Sequence, residues 1–213
     1  MPRYGTIDRA YGARLATCDP SADGPIYMLN LMKYRAVADY DGASSPGGKE
    51  ISGREADDIY SPVDVLHDIG AAITLSADVI DATEDWDRVA VVKYATRRSF
   101  IEMQSRGDFQ EKHTHKDAGM DHTIVMGTTP TGELPMRAKP DRLLLEVWLG
   151  EEPSPLVPDM AGRFAVEGTI IGDGRAWTGA RWTPIASGVD VVLPAPAPER
   201  QALVLQPAID RWL

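Results

Sequence analysis

Residues 111–122 read EKHTHKDAGMDH and hold three of the chain's four histidines. On a strand, an H-x-H pair converges on one side and can chelate a metal. On a helix, successive residues turn by about 100°, so His113 and His115 point roughly 200° apart and make a poor chelate. Asp108 with Glu111 can cap a helix that runs to Gly119, so a helix is expected and a metal is not. His113 then shares a face with Phe109, Lys116 and Met120, an inward stripe. His115 lies near Glu111 and faces elsewhere, and His122 starts the next strand. A histidine facing inward beside an apolar sheet titrates near neutrality, which suits general acid/base work by His113 or His115. The competing reading is a histidine held at the helix end by the C-terminal dipole, with no chemistry.

Asn30 is the second unusual residue. It sits between Leu29 and Leu31 in IYMLNLMKY, a segment otherwise built mainly of apolar residues. A buried amide must find hydrogen-bond partners, either in a neighbouring element or in a ligand's carbonyl or oxyanion. Met28, Asn30, Met32 and Tyr34 share one face, and flexible Met side chains can shape an apolar pocket around such an amide. Arg54, Tyr60, Trp86, Tyr94, Arg98 and Lys116 lie near the ends of neighbouring elements and, with Tyr34, could rim a substrate pocket; the competing reading of each alone is a surface or core residue. No G-x-S-x-G, Walker loop, H-E-x-x-H or paired cysteines occur.

The elements that must position these residues follow from pattern and punctuation. Residues 1–24 are polar and turn-rich and read as an N-terminal arm. Residues 26–34 are apolar on both faces, as in a covered strand. Ser52 to Glu55 has the form of a capping box, and Ser61 with Pro62 marks a second helix start, so a break is expected near Tyr60 and a stop at Gly70. Strands are expected over 72–80 and 88–96, a short helix over 99–104, the histidine helix, and a strand over 122–127. The order is β-α-β-β-α-β, an α+β ferredoxin-like unit spanning 25–130.

Residues 128–140 read as a linker, and 141–213 as a shorter, degenerate second ferredoxin-like unit. RLLLEVWLG (142–150) is a covered strand, RFAVEGTIIGDGRAWTGARWTPI (163–185) gives two strands around a Gly-rich turn, and PERQALVLQPAIDRWL could supply a last helix and strand. VIDATEDW (79–86) and IIGDGRAW (170–177) both place an apolar pair six and seven positions before a Trp, which suggests the repeat.

Composition sets the outer bounds. The chain has 213 residues, 43% hydrophobic and 25% charged, as expected of a globular protein with a sizeable core. Its formal charge of -10 argues against nucleic acid or an anionic membrane as partner. No apolar run approaches a membrane span, the first residues lack the apolar core of a signal peptide, and the single Cys18 has no internal partner. A cytoplasmic setting is the expectation.

GPIYMLNLMKYR, SGREADDIY, DWDRVAVVKYATRRSFIEM and DFQEKHTHKDAGMDHTIVM, in that order, resemble the dimeric α/β-barrel superfamily. The branch they resemble is an uncharacterised bacterial one, similar to domain of unknown function 1330. The resemblance implies ferredoxin-like units whose sheets pair into a barrel, usually in a homodimer, although a tandem second half could close the barrel internally. It also implies a ligand pocket between one unit's sheet and its helices, with Asn30, Trp86 and His113 near it. Relatives include cofactor-free monooxygenases, isomerases, cyclases and haem-dependent enzymes, so the scaffold alone does not select a reaction.

The leading expectation is an enzyme with no cofactor, acting by proton transfer on a small enolisable, aromatic or polyketide-like molecule, as isomerase, cyclase, lyase or oxygenase. Asn30 would orient the carbonyl or enolate while His113 or His115 moves the proton. The alternatives are a haem- or metal-dependent enzyme, and a non-catalytic ligand-binding or assembly module whose pocket is filled by side chains.

Overall fold

The computed structural model describes residues 3–42, 45–132, 140–157 and 162–211. Most of the sequence 128–140 read as a linker lies outside the described residues, although the preceding strand extends to Pro130. The chain runs β1 (Thr6–Ile7), α1 (Arg9–Ala16), β2 (Ile26–Tyr34), α2 (Gly53–Tyr60), α3 (Val63–Asp68), β3 (Ala72–Ala82) and β4 (Arg88–Tyr94). It continues with α4 (Arg97–Gln104), α5 (Gly107–Gly119), β5 (Met120–Pro130), β6 (Arg142–Trp148), β7 (Gly162–Gly172), β8 (Gly179–Ile185) and β9 (Arg200–Asp210).

Eight of these strands form one antiparallel sheet in the order β7-β5-β2-β4-β3-β9-β6-β8, and β7 pairs with β8 through Gly162–Ala165 to close it. The short β1 adds to β7 at Ile171 and Gly172. The expected fold class, an α+β ferredoxin-like unit of the dimeric α/β-barrel type followed by a degenerate unit, is therefore corrected. The molecule is a mostly-β closed barrel, and its helices are few. Two edge pairings, β5 with β7 and β3 with β9, join the halves into a single sheet, so closure requires no second copy of the chain. Among the described residues no helix is long and apolar enough to cross a membrane.

Strand alternation explains the interior. In β2, Tyr27, Leu29 and Leu31 point into the barrel, and Val89 and Val91 of β4 join them. Leu143, Leu145 and Val147 of β6 and Leu203 and Leu205 of β9 complete the ring, with Trp86, Trp177 and Trp182 filling the volume. Eight strands enclose a space that side chains can fill, and these side chains fill it, so this interior is a packed core. Residues one position away point outward, and what covers them differs between the halves. Helices α2 to α5 lie over β2, β4 and β5. The segments around Leu156–Val157 and Val191–Leu193 lie over Leu144, Ala202 and Val204 of β6 and β9.

Several local readings are revised. Residues 3–24 carry β1 and α1 and bury Tyr4, Tyr11 and Leu15, which is more than an arm. The Ser52 box is present, with Glu55 answering it, and α2 ends at Tyr60. Ser61 does not cap α3: Pro62 occupies the cap position and makes no side-chain cap bond. Asp108 does not cap α5 either, because Arg106 is the cap residue and draws the Asp108 carboxylate into an ion pair at 2.6 Å. The helix expected near the C-terminus is absent among the described residues, and 200–210 form one strand. The local sequence gives a reason: Ala202–Leu205 is a short continuous apolar run buried on both faces, as in a covered strand, and Pro207 disfavours a helix.

Candidate functional site

A cavity of about 600 Å³ lies between the outer face of the barrel and the helices. Its floor is the even-numbered side of β2, Met28, Asn30 and Met32, with Ala90 and Val92 of β4 beside it. Its roof is the inner side of α2 to α5. Ile170 and Ile171 of β7 and Ile209 of β9 close the ends, so the second half contributes to the wall. Ile7 and Val63, 39% and 52% exposed, line it as well and give its rim an apolar character. A pocket of this volume, apolar with a few convergent polar groups, has the size and chemistry of a small-molecule site.

The roof is held down by a close crossing of α2 and α5. A Cβ added to Gly119 would meet the Gly53 carbonyl oxygen at 2.4 Å, and one added to Gly53 would meet the Gly119 oxygen at 2.3 Å. Only glycines allow the two backbones this approach. Over the three turns before Gly119, α5 presents Phe109, His113 and Lys116 to the cavity. This is the i, i+4, i+7 stripe that the sequence indicated.

His113 Nε2 lies 2.9 Å from the Tyr4 hydroxyl, 109 positions away in sequence. Its ring also sits edge-on to Tyr60, at 6.3 Å between centroids, and tilted against Phe109 at 5.8 Å. Burial lowers the imidazole pKa, the neighbouring Lys116 lowers it further, and Asp117 pulls partly back. Burial raises the Tyr4 pKa, with Asp117 adding to the effect. Both groups are thus held neutral near pH 7. In one tautomer the Tyr4 hydroxyl donates to Nε2, and in the other it accepts, so the pair can pass a proton either way.

Lys116 is 9% exposed, with its ammonium 5.4 Å from the centre of the Tyr60 ring and 6.0 Å from that of Tyr4. Burial lowers its pKa and Asp57 partly restores it. Asp57 is already occupied, accepting from the Tyr34 hydroxyl at 2.6 Å and from Arg88 at 3.3 Å. Arg88 is shared in turn with Asp58 at 2.9 Å. Across the cavity, Asn30 Nδ2 donates to the Met28 carbonyl at 2.9 Å, which fixes the amide and leaves its Oδ1 free to accept from a ligand.

Of the residues singled out from sequence, Asn30, Tyr60, Tyr94, His113 and Lys116 come together around this cavity. Tyr34 does not line it and acts through Asp57. His115 lies outside it, with Nδ1 2.9 Å from the Tyr40 hydroxyl. Arg54 lies outside it too, in an exposed ion pair with Asp78 at 2.6 Å. Trp86 belongs to the barrel core and donates from Nε1 to Gln201 at 3.0 Å. Tyr4, Asp57, Asp58 and Arg88 were missed. Tyr4 sits in a segment without a periodic pattern, but the acidic DD after Glu55 and the Arg at the start of β4 were visible signals of polar groups near this sheet. Among the described residues no cluster of three or more His, Cys, Asp or Glu could hold a metal ion.

No protein-family model matches the chain, and no curated protein is similar to it. The solved structures that match in fold include two of one protein. One is the RPA0582 protein of unknown function from Rhodopseudomonas palustris, with 23% identity over 61% of this chain and 98% of that one, at a TM-score of 0.51. The other is the methylated RPA0582 protein, with 24% identity over 62% of this chain and 98% of that one, also at 0.51. These likenesses concern fold alone. With the closed eight-stranded barrel they overturn the resemblance to the dimeric α/β-barrel superfamily, so the chain is similar in architecture to RPA0582 and is assigned to no family on that ground.

Proposed function

We propose that the chain is an enzyme that, without a cofactor, moves a proton on a small enolisable carbonyl compound bound in the cavity between β2–β4–β5 and the helices. The observation that carries this reading is the pairing of a neutral His113–Tyr4 couple and Lys116 on the roof with Asn30 on the floor of one apolar cavity. The couple takes a proton from the carbon beside the carbonyl and returns it, with neutral His113 as the accepting group and the Tyr4 hydroxyl as a donor. Asn30 helps orient the ligand through its free Oδ1, and the Lys116 amine can hydrogen-bond the oxygen on which charge develops. The apolar lining accepts the body of an aliphatic or aromatic molecule. A non-catalytic module whose pocket is filled by side chains is the poorer reading, because this cavity is open at about 600 Å³.

The test is exchange of α-protons into deuterated water, followed by NMR over a panel of enolisable aldehydes, ketones and lactones. Native mass spectrometry of the freshly purified protein shows which ligand class it carries. Loss of either acid/base partner should slow exchange by about 10²-fold or more. If His113→Ala and Asn30→Ala both retain the full rate on a compound that turns over, these roles are wrong.

A further inference from the structure

Within the cavity, Lys116 is the group whose surroundings demand explanation. It is 91% removed from solvent, given its 9% exposure, yet has no hydrogen-bond or ion-pair partner among the described residues. The other cation on the wall, Arg88, is matched by Asp57 and Asp58. A lysine that served only to pack would be better replaced by methionine, and one that served only to bind an anion would be better as an ammonium. Burial works against the ammonium, and the carboxylate that could restore it, Asp57, is engaged by Tyr34 and Arg88. What remains is a primary amine facing an apolar cavity, with His113 of the proton-passing pair three residues back on the same helix.

We propose that Lys116 forms a Schiff base with an aldehyde or unhindered ketone bound in this cavity. This deepens the proton-transfer reading and rests on it. The nitrogen lone pair adds to the carbonyl carbon, and the resulting carbinolamine loses its hydroxyl as water, with a proton delivered by the His113–Tyr4 pair. The iminium that forms carries the positive charge that an ammonium would have. The faces of Tyr60 and Tyr4 stabilise it as they would the ammonium. Loss of the adjacent C–H proton to the same pair sends that electron pair into a C=C bond and the C=N π pair onto nitrogen, giving an enamine. Reprotonation and addition of water release the carbonyl compound and the free amine, with no net oxidation.

The experiment is reductive trapping. The protein is incubated near neutral pH with hexanal and cyanoborohydride, and intact mass and peptide mapping locate the hexyl group. The chain has six lysines. Trapping is expected at Lys116 in clear preference to the other five, because its buried amine is held more in the free form. Both Lys116→Met and Lys116→Arg should abolish the selective adduct while retaining the wild-type far-ultraviolet circular dichroism. The arginine variant keeps the charge and cannot form an imine. An adduct spread evenly over the lysines overturns the proposal, as does wild-type α-proton exchange in the arginine variant. If exchange still depends on His113 and Asn30 but no adduct forms at Lys116, the covalent step fails and the proton-transfer reading stands. If the adduct forms but exchange is indifferent to both residues, the Schiff-base site stands and that reading fails.

Discussion

The two halves of the barrel share one core and treat their outer faces in opposite ways. On β2 and β4 the outward side chains meet helices across an open cavity. On β6, β8 and β9 they meet irregular chain and are packed shut. The polar groups follow the same division. On the second half, Glu146 is fully buried and matched by two cations: Arg181, which donates from Nε at 2.9 Å, and Arg200. Arg181 reaches on to Glu152 at 2.7 Å. On the first half, Lys116 is almost as buried and is matched by none among the described residues. A closed face tolerates charge only when every charge is answered, whereas a cavity can leave one unanswered until a ligand arrives.

The sharpest way to break this comparison is to unbalance the closed face. Glu146→Ala takes from the buried Arg181 its buried carboxylate, leaving it only the half-exposed Glu152, and should cost about 3–5 kcal/mol, read by urea denaturation. A loss under about 1 kcal/mol would mean that the cluster is wetter than its burial indicates. Next in size is the helix crossing. Gly119→Ala forces α5 away from α2 and should cost about 1–3 kcal/mol, and it should weaken ligand binding together with stability. The cavity face predicts the opposite sign for a lost charge. Lys116→Met removes an unanswered amine and should raise Tm by about 2–4 °C, on the order of 1 kcal/mol for a chain of this size. A fall in Tm would show that Lys116 has a structural partner.

A subtler prediction concerns pH. His113 has a lowered pKa in the fold, so the unfolded chain binds its proton first on acidification. Its contribution to stability is therefore complete above the unfolded value of about 6.5 and is lost as pH falls through that value toward the folded one. Lys116, Asp117, Tyr4 and Tyr60 are the groups that face it. His113→Gln should flatten the dependence of Tm on pH over that window, and an unchanged slope would show that the imidazole is not desolvated. The smallest effect is expected at Arg54, an exposed ion pair, where Arg54→Ala should change stability by less than about 0.5 kcal/mol and leave the cavity unaffected.

Much of the strand content could be read from local pattern. The Met28, Asn30, Met32 face and the Phe109, His113, Lys116 stripe follow from periods of 2 and 3.6, and both reach the cavity. Partnership between distant edges could not be read, because the hydrogen bonds joining β3 to β9 and β5 to β7 use backbone groups that every residue carries. For that reason local pattern does not show that both halves contribute to one sheet. α1 escaped notice because only two of its eight residues, Tyr11 and Leu15, are buried. Tyr4 was invisible for a related reason: its meaning comes from His113, more than a hundred positions away.

The alternation along β2 has one more consequence. Tyr27, Leu29 and Leu31 answer to the barrel, while Met28, Asn30 and Met32 answer to whatever occupies the cavity. Selection can therefore act on neighbouring positions for separate reasons, with the odd ones frozen by folding and the even ones free to drift toward a new chemistry. A saturation library across Ile26–Tyr34 should score as two interleaved combs, one for survival and one for specificity, within a single run of nine residues.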